Sequence, residues 1–337
     1  MLWFIFSLAV LIGILFMITL YIYKLCFYSP KRRADDPFKQ MSGEEYENVQ
    51  EHIDHCTGII EGAPCQTVEI KSHDGITLAG RYYHTKDTAP LQIMFHGYRS
   101  HASRDCSGGY MLAKKMGFNV LVVDQRAHRK SGGRTISFGI LERKDCLNWI
   151  RFAQNRFGEE KPIILSGLSM GAATVLMAAS LPLPRQVVAI MADCPYSSPG
   201  GIIQKVTQDL KYPPKLLYPL IRLSARIYGG FSLEECTARN AVSQTKIPIL
   251  LIHGENDTFV PCEMSREIFE ACRDHARLYT FPDAGHGLCY MTDPERYEYI
   301  TIAFLASVPE LKDHIKESSY AETFLKEHAG QFSMQQP

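Results

Sequence analysis

Three polar side chains in the second half of the chain could together carry out nucleophilic chemistry. Ser169 lies between two glycines in KPIILSGLSMG (161–171), directly after a short apolar run. Asp257 follows the apolar run of LLIHGENDTFVP, and His286 lies in FPDAGHG. A serine hydroxyl is a poor nucleophile unless a base accepts its proton, and a third group commonly orients that base. We predict Ser169 as the nucleophile, His286 as the base and Asp257 as the orienting acid.

The Gly-x-Ser-x-Gly spacing predicts a sharp turn from a strand into a helix at Ser169. Such a turn lifts the hydroxyl above the sheet, while Gly167 and Gly171 keep its crowded flanks free of side chains. The N-terminus of the following helix favours negative charge that develops nearby. A plain strand-to-helix turn is the alternative for the pentapeptide alone. Because Asp257 and His286 each follow a further predicted strand, the nucleophile is favoured over a plain turn as the role of Ser169.

An attacked carbonyl also needs hydrogen-bond donors for its oxyanion. We expect one donor to be the backbone N–H of Met170, directly after the nucleophile. The second should be the backbone N–H of Tyr98, in the loop that follows QIMFHG. The glycine of His96-Gly97 would let this loop pass close to the site, although HGYRS is also compatible with a plain turn at a strand end.

The elements that must position these residues alternate along the chain. Helical segments separate most of the predicted strands, which are QTVEIKS, ITLAGRYYH, LQIMFHG, NVLVVD, PIILSG, VVAIMAD, IPILLIHG and ARLYTFP. This alternation predicts an α/β fold with a mostly parallel eight-stranded sheet and helices on both faces. The first two strands, joined by HDG, read as a hairpin and predict an antiparallel edge.

Between Ser197 and Thr245 the alternation stops, and the sequence is helical on both sides of Pro213-Pro214. The segment is too long for an ordinary connection, so 197–245 is predicted to be a small helical cap insertion over one end of the sheet. Its apolar residues at helical spacing could line an acyl pocket above Ser169, or could simply pack on the sheet; they are Leu216, Leu217, Leu220, Ile221 and Leu223.

The N-terminus carries no charged side chain from residue 2 to residue 23. A helix that crosses a bilayer needs about 20 apolar residues, so we predict an uncleaved transmembrane anchor over 1–24. A signal peptide would have basic residues before the apolar run and a small-residue cleavage site, and a buried core helix is the other alternative. A juxtamembrane linker and helix (25–63), a catalytic domain (64–310) and a C-terminal helical tail (311–337) would follow.

Basic residues flank this apolar run on one side. They are Lys24, Lys31, Arg32, Arg33 and Lys39, and none precedes the run. Since basic flanks stay on the cytoplasmic side, we predict a single-pass membrane protein whose catalytic domain faces the cytoplasm. Ten cysteines without a Cys-x-x-Cys spacing suit the same reducing compartment.

Composition excludes several other functions. The chain has 36 basic and 36 acidic residues, which argues against nucleic acid as a partner. There is no phosphate-binding glycine loop or dinucleotide fingerprint, so we expect no cofactor. His52, His55 and Cys56 could bind zinc, but without a second ligand cluster a solvated helix is favoured, and no metal is expected.

Several segments resemble the α/β-hydrolase superfamily, over about 66–308, and are most similar to bacterial serine hydrolases with one N-terminal membrane anchor. They are FHGYRS, VLVVDQRAHRKSGG, GLSMG, ADCPYSS, IHGENDTFVP and DAGHG. The resemblance implies that fold and the chain order Ser169, Asp257, His286. Many relatives have Arg-Gly-His-Gly where this chain has RAHR (126–129), which predicts a stiffer loop with an added charge near the pocket mouth.

Residue type alone leaves four candidates for the acid, since three carboxylates besides Asp257 are near in sequence. Asp193 ends VVAIMAD, Glu255 neighbours Asp257, and Asp283 is close to His286. The resemblance implies that the acid stands at the strand end occupied by Asp257, and Asp193 ranks second.

These observations predict a serine hydrolase that cleaves carboxylic esters or thioesters through an acyl-serine intermediate. Its substrate would be a small acyl compound, with lipid-derived compounds among the candidates. A peptidase or amidase on the same scaffold is one alternative, although no clamp for a peptide terminus is recognisable. A catalytically silent, hydrolase-like binding protein is the other.

Overall fold

The computed structural model describes residues 1–30 and 44–332 of the 337-residue chain. Lys31, Arg32, Arg33 and Lys39, on which the predicted membrane orientation partly rests, lie outside the described residues, as does the middle of the predicted 25–63 linker.

The core is an eight-stranded sheet with the order β1-β2-β4-β3-β5-β6-β7-β8. Its strands are β1 (Gln66–Lys71), β2 (Thr77–Tyr83), β3 (Leu91–Phe95), β4 (Asn119–Val123), β5 (Ile163–Leu168), β6 (Val187–Asp193), β7 (Ile249–Gly254) and β8 (Ala276–Phe281). The predicted fold class is confirmed. Strands β1 and β2 form the outermost pair and run antiparallel, so the predicted antiparallel edge is present, and β2 is also antiparallel to β4.

Helices cover both faces of the sheet. The helical elements of the described residues are α1 (Leu2–Cys26), α2 (Glu44–Glu47), α3 (Gln50–Gly62), α4 (Ala102–Asp105), α5 (Ser107–Lys115), α6 (Glu142–Phe157), α7 (Met170–Ala178), α8 (Pro199–Asp209), α9 (Pro214–Ser224), a π-helical turn (Ala225–Gly229), α10 (Ala238–Val242), α11 (Glu263–Cys272), α12 (Cys289–Thr292), α13 (Pro294–Ala306), a 3₁₀ turn (Pro309–Leu311), α14 (Lys312–Glu317) and α15 (Ser319–Glu327). Strands β3, β4 and β7 are buried along their whole length. This double covering explains their nearly continuous apolar sequences.

Two hydrophobic clusters fill the space between the sheet and its helices. One contains α6, α7 and α11 and the residues of the sheet that face them. The other contains α5 and α13 with the opposite face, and includes Ile315 and Ala321 of the C-terminal helices. The carboxyl ends of β5, β7 and β8 meet at the same edge of the sheet, which is where an α/β sheet usually binds ligands.

Helix α1 is long and apolar enough to cross a membrane, a property that a signal sequence shares. Its first turns are exposed, but its C-terminal end packs on the domain. The hydroxyl of Tyr228 donates to the carbonyl of Phe16 at 2.9 Å, and the hydroxyls of Tyr23 and Thr135 are 2.6 Å apart. Phe27 is fully buried, with its ring centroid 5.4 Å from that of Phe231. The end of α1 is therefore fixed to the catalytic domain.

The predicted insertion contains α8, α9, the π-helical turn and α10. Helix α9 begins directly after Pro213, whose extended backbone separates it from α8. It packs against α1 as well as α8. Ile221 is buried, whereas Leu216 is 68% exposed. The apolar face of α9 therefore serves in part to hold the N-terminal helix.

Candidate active site

Ser169 lies at a strained turn between β5 and α7. Its backbone has φ 54° and ψ −116°, a left-handed conformation that costs free energy in a residue other than glycine. A β-carbon at position 167 would lie 2.3 Å from the carbonyl carbon of Gly171, and one at position 171 would lie 2.1 Å from the carbonyl oxygen of Phe95. Both positions therefore require glycine for steric reasons. The backbone forms the sharp turn that the pentapeptide predicts.

The structure brings Ser169, His286 and Asp257 into one hydrogen-bonded chain. His286 Nε2 is 2.9 Å from Ser169 Oγ, and His286 Nδ1 is 2.6 Å from Asp257 Oδ2. A carboxylate accepts the Nδ1 proton, which leaves Nε2 free to accept the proton of the serine hydroxyl. All three residues are buried. This arrangement is suited to general-base activation of a nucleophile.

The environment of Asp257 keeps its carboxylate charged. Oδ1 accepts the backbone N–H groups of Phe259 at 2.9 Å and Val260 at 2.7 Å. His253 Nε2 lies 3.3 Å from Oδ2. Burial opposes the charged form, but the imidazoles of His286 and His253 outweigh it and hold the pKa of Asp257 well below its usual range.

A second imidazole, that of His253, also lies next to the Asp257 carboxylate. The sequence did not lead us to predict this residue. It is fully buried at the end of β7, with Nδ1 2.6 Å from Ser265 Oγ and Nε2 2.8 Å from the carbonyl oxygen of Val260. Its position four residues before Asp257 was a signal, since both residues occur in the strand-end segment that supplies the acid. The apolar strand pattern around it suggested a plain core residue instead.

Among the hydrogen bonds described, none of the three competing carboxylates contacts a ring nitrogen of His286. Glu255 accepts a hydrogen bond from Thr280 at 2.6 Å, and Asp283 is exposed. The backbone carbonyl of Asp193 accepts the N–H of Ser169 at 2.8 Å. Burial raises the pKa of the Asp193 side chain to about 6, although His253 and Tyr297 oppose this shift. His286 thus contacts the carboxylate that ranked first.

The loop after β3, predicted to supply an oxyanion donor, is held by its neighbours. Asp105 accepts the N–H of Gly97 at 2.8 Å and the hydroxyl of Ser100 at 2.6 Å. The N–H of Arg99 donates to His128 Nε2 at 3.0 Å. The N–H groups on either side of Tyr98 are thus engaged elsewhere. The assignment of Tyr98 and Met170 as donors stays a prediction.

The backbone of segment 126–129 adopts conformations that favour glycine at two positions. Ala127 and Arg129 adopt positive φ values of 62° and 40°, which non-glycine residues rarely adopt. Arg129 lies 3.9 Å from Glu61 and is not among the described residues that line the cavity. The added charge near the pocket mouth stays a prediction, and the Arg129 side chain approaches Glu61 of α3.

A cavity of about 380 Å³ extends from Ser169 and His286 into the domain. It lies along the face of the sheet that α5 and α13 cover. Its apolar lining includes Met94, Leu112, Met116, Met191, Leu250 and Ile252. No described lining residue comes from 197–245. The prediction that the insertion lines an acyl pocket is thus wrong for this cavity, which lies within the domain rather than beneath α9.

Cys194, Asp257 and His286 offer three atoms within 4.8 Å of one another that could bind a metal. Burial, with Asp193 and Asp257 nearby, raises the pKa of the Cys194 thiol well above its ordinary value. Only a thiolate is a good metal ligand, and Asp257 and His286 are already hydrogen-bonded to each other. The group therefore fits a proton relay better than a metal centre.

Comparisons with known proteins agree with this architecture. A sequence model described as alpha/beta hydrolase fold matches residues 93–239, and one described as serine hydrolase (FSH1) matches residues 205–288. The uncharacterized protein YqkD of Bacillus subtilis is 26% identical over 238 residues, which cover 70% of this chain and 77% of that protein.

Solved structures show the same fold. The esterase Pf2001 of Pyrococcus furiosus matches with a TM-score of 0.61 at 22% identity, over 83% of this chain and 99% of the other. An esterase from Exiguobacterium antarcticum matches with a TM-score of 0.54 at 16% identity, over 71% of this chain and 99% of the other. At this level of identity the likeness concerns the fold.

Proposed function

Since the chain belongs to the α/β-hydrolase superfamily, and its family matches support a hydrolase, we propose that it is a serine hydrolase that cleaves carboxylic esters or thioesters. The observation that carries this proposal is the hydrogen-bonded chain from Ser169 Oγ through His286 to Asp257, with distances of 2.9 Å and 2.6 Å.

In the proposed mechanism, His286 Nε2 accepts the hydroxyl proton as Ser169 Oγ attacks the substrate carbonyl. Asp257 stabilises the resulting imidazolium without itself becoming protonated. The N–H groups of Met170 and Tyr98 would donate to the oxyanion. Collapse of the tetrahedral intermediate releases the alcohol or thiol, which takes its proton from His286. Water, deprotonated by the same imidazole, then releases the acid from acyl-Ser169.

The cavity supports an acyl chain as the part of the substrate that enters the domain. It is enclosed between the sheet, α5 and α13, and its volume of about 380 Å³ lies within the range of small-molecule sites. Met94, Met191 and Leu250 are among its lining residues, and such side chains suit a flexible hydrocarbon chain. Acyl compounds derived from lipids are thus among the proposed substrates.

We further propose that α1 anchors the enzyme in a membrane, with the catalytic domain on the cytoplasmic side. The support is the apolar length of α1 and the basic residues that follow it. An impermeant maleimide, applied to intact cells that express a variant with one added surface cysteine, should label the domain only after lysis. Strong labelling before lysis would place the domain outside.

The decisive experiment combines a fluorophosphonate probe with a substrate panel. The wild-type protein should be labelled and should hydrolyse esters and thioesters of graded acyl length faster than matched amides. Ser169→Ala should lose labelling and about a million-fold in turnover while keeping its fold, since alanine fits the same turn. Faster amide cleavage would favour the peptidase alternative, and an unlabelled wild-type protein would favour a silent binding protein.

A further inference from the structure

Buried polar side chains that the proposed mechanism does not use also line the cavity. Gln92 is 2% exposed and Thr301 is 1% exposed. Gln92 Nε2 donates to Ser166 Oγ at 2.9 Å. Gln92 Oε1, Thr301 Oγ1 and one carboxylate oxygen of Asp193 have no protein partner among the described residues. Buried polar groups are nearly always hydrogen-bonded, so these three unpaired atoms on residues that line the cavity indicate a polar group on the ligand.

The sheet register places Gln92 and Ser166 at a distance from the nucleophile, whereas Asp193 is paired with Leu168, directly before it. Ser166 is three residues before Ser169 on β5, and Gln92 is paired with Ile164, five residues before it. At about 3.3 Å per residue, Ser166 and Gln92 lie roughly 10 Å and 16 Å from the nucleophile along the strand. Thr301 is on α13, which covers the same face. Gln92 therefore lies where the chain of a bound acyl group would pass, whereas Asp193 lies nearer to its carbonyl.

The chemistry of the unpaired atoms distinguishes two kinds of substituent. Gln92 Oε1 and a charged Asp193 oxygen can only accept hydrogen bonds, whereas the hydroxyl of Thr301 can donate or accept. A hydroxyl group on the ligand can donate to either acceptor and can exchange a hydrogen bond with Thr301. A keto oxygen can only accept, so it would leave Gln92 unpaired. The set of atoms thus favours a hydroxyl.

We propose that this cavity selects acyl chains that carry a hydroxyl group along the chain, and that Gln92 and Thr301 receive that hydroxyl. This inference rests on the proposed function, because it takes the acyl part of the substrate to occupy the cavity. It narrows the substrate class from acyl esters in general to esters of hydroxylated fatty acids.

The test compares p-nitrophenyl esters of one chain length, either unsubstituted or with a hydroxyl or keto group at successive carbons beyond the middle of the chain. For wild-type protein, kcat/KM should be roughly ten-fold higher for the best hydroxylated ester than for the unsubstituted one. The keto ester should show less gain. Gln92→Met and the isosteric Thr301→Val should each reduce this ratio toward one.

Thr207→Val is a matched control, because Thr207 is a buried threonine on α8 that bonds to the carbonyl of Ile203 and lies outside the cavity. It should keep the wild-type ratio. No preference at any hydroxyl position, or a preference retained in both cavity variants, would overturn the inference. Should Gln92→Met fail to fold, the Thr301→Val ratio decides.

Binding separates failure of this inference from failure of the proposed function. Calorimetric titration of the Ser169→Ala variant with the same pairs should show the hydroxyl preference in Kd without any turnover. Equal affinities would refute the inference even if the wild-type protein hydrolyses every ester. A clear preference in binding without wild-type hydrolysis or fluorophosphonate labelling would instead refute the catalytic proposal and leave the hydroxyl site intact.

Discussion

Replacing Asp257 with asparagine tests the proposed relay at the residue whose assignment had competitors. The oxygen of the new amide can still accept the N–H groups of Phe259 and Val260, now 2.9 Å and 2.7 Å from Oδ1. The amide nitrogen then faces His286 Nδ1 in place of Oδ2, which is 2.6 Å away. A donor there favours the tautomer that carries its proton on Nε2, so the imidazole can no longer accept the proton of Ser169.

The expected loss is that of a base held in the wrong tautomer, about 10⁴-fold in kcat, or about 5.5 kcal/mol in the activation barrier. Asp193→Asn is the matched control, since it makes the same chemical change in a nearby buried acid that does not contact the His286 ring nitrogens among the hydrogen bonds described. We expect its kcat to stay within about ten-fold of wild type, because neither nitrogen of the relay changes partner.

The assay is the initial rate of p-nitrophenyl ester hydrolysis for both variants, with circular dichroism and thermal unfolding to verify their folds. A larger loss in Asp193→Asn than in Asp257→Asn, with both proteins folded, would show that the acid follows β6. Near-normal kcat in Asp257→Asn would refute the tautomer argument altogether.

Three further predictions follow from the cavity, the strained loop and the buried imidazoles. Gly109→Leu should lower kcat/KM for long acyl chains far more than for short ones, while Gly109→Ala should have little effect, because a β-carbon there lies 3.7 Å from Met94 Cε; a chain-length series with both variants checks this. Ala127→Gly should raise the free energy of unfolding by about 1 kcal/mol in denaturant titrations, since it relieves a φ of 62°; an unchanged or lower value would contradict the strain. Burial lowers the pKa of His96 to about 4 and that of His128 to about 3, from 6.5. The unfolded chain then takes up protons that the folded chain does not, so stability should be full above about pH 6.5 and fall as the pH drops toward 4; a flat profile of unfolding free energy over that range would contradict it.

Much of the fold could be predicted because local patterns carry it. Strands covered on both faces need apolar residues along their whole length, and β3, β4 and β7 have them. The turn at HDG predicted the antiparallel pair of β1 and β2 at the edge, but not the strand that pairs with β2 on its other side. That choice is a long-range pairing between β2 and β4, and hairpin sequences do not encode it.

The candidate site was predictable where short-range geometry dictates residue type. Gly167 and Gly171 follow from the contacts of the turn at Ser169. Asp257 and His286 could be named because parallel strands end at one edge of a sheet, so that residues after β5, β7 and β8 converge. Their catalytic roles stay a prediction that the rates above will test.

The sequence by itself determined the α/β fold, the sharp turn at Ser169 and the three residues that meet at the sheet edge, because each depends on local sterics or on strand polarity. The tertiary structure alone decided where the cavity beside Ser169 and His286 lies. That cavity exists because α5 and α13 do not fill the space against the sheet, while α9, the expected wall, packs on α1. Which helix packs on which face of the sheet, and how completely their side chains fill the space between them, depends on the volumes of residues that are far apart in the sequence. Periodicity shows that a face is apolar, but not which other face will cover it.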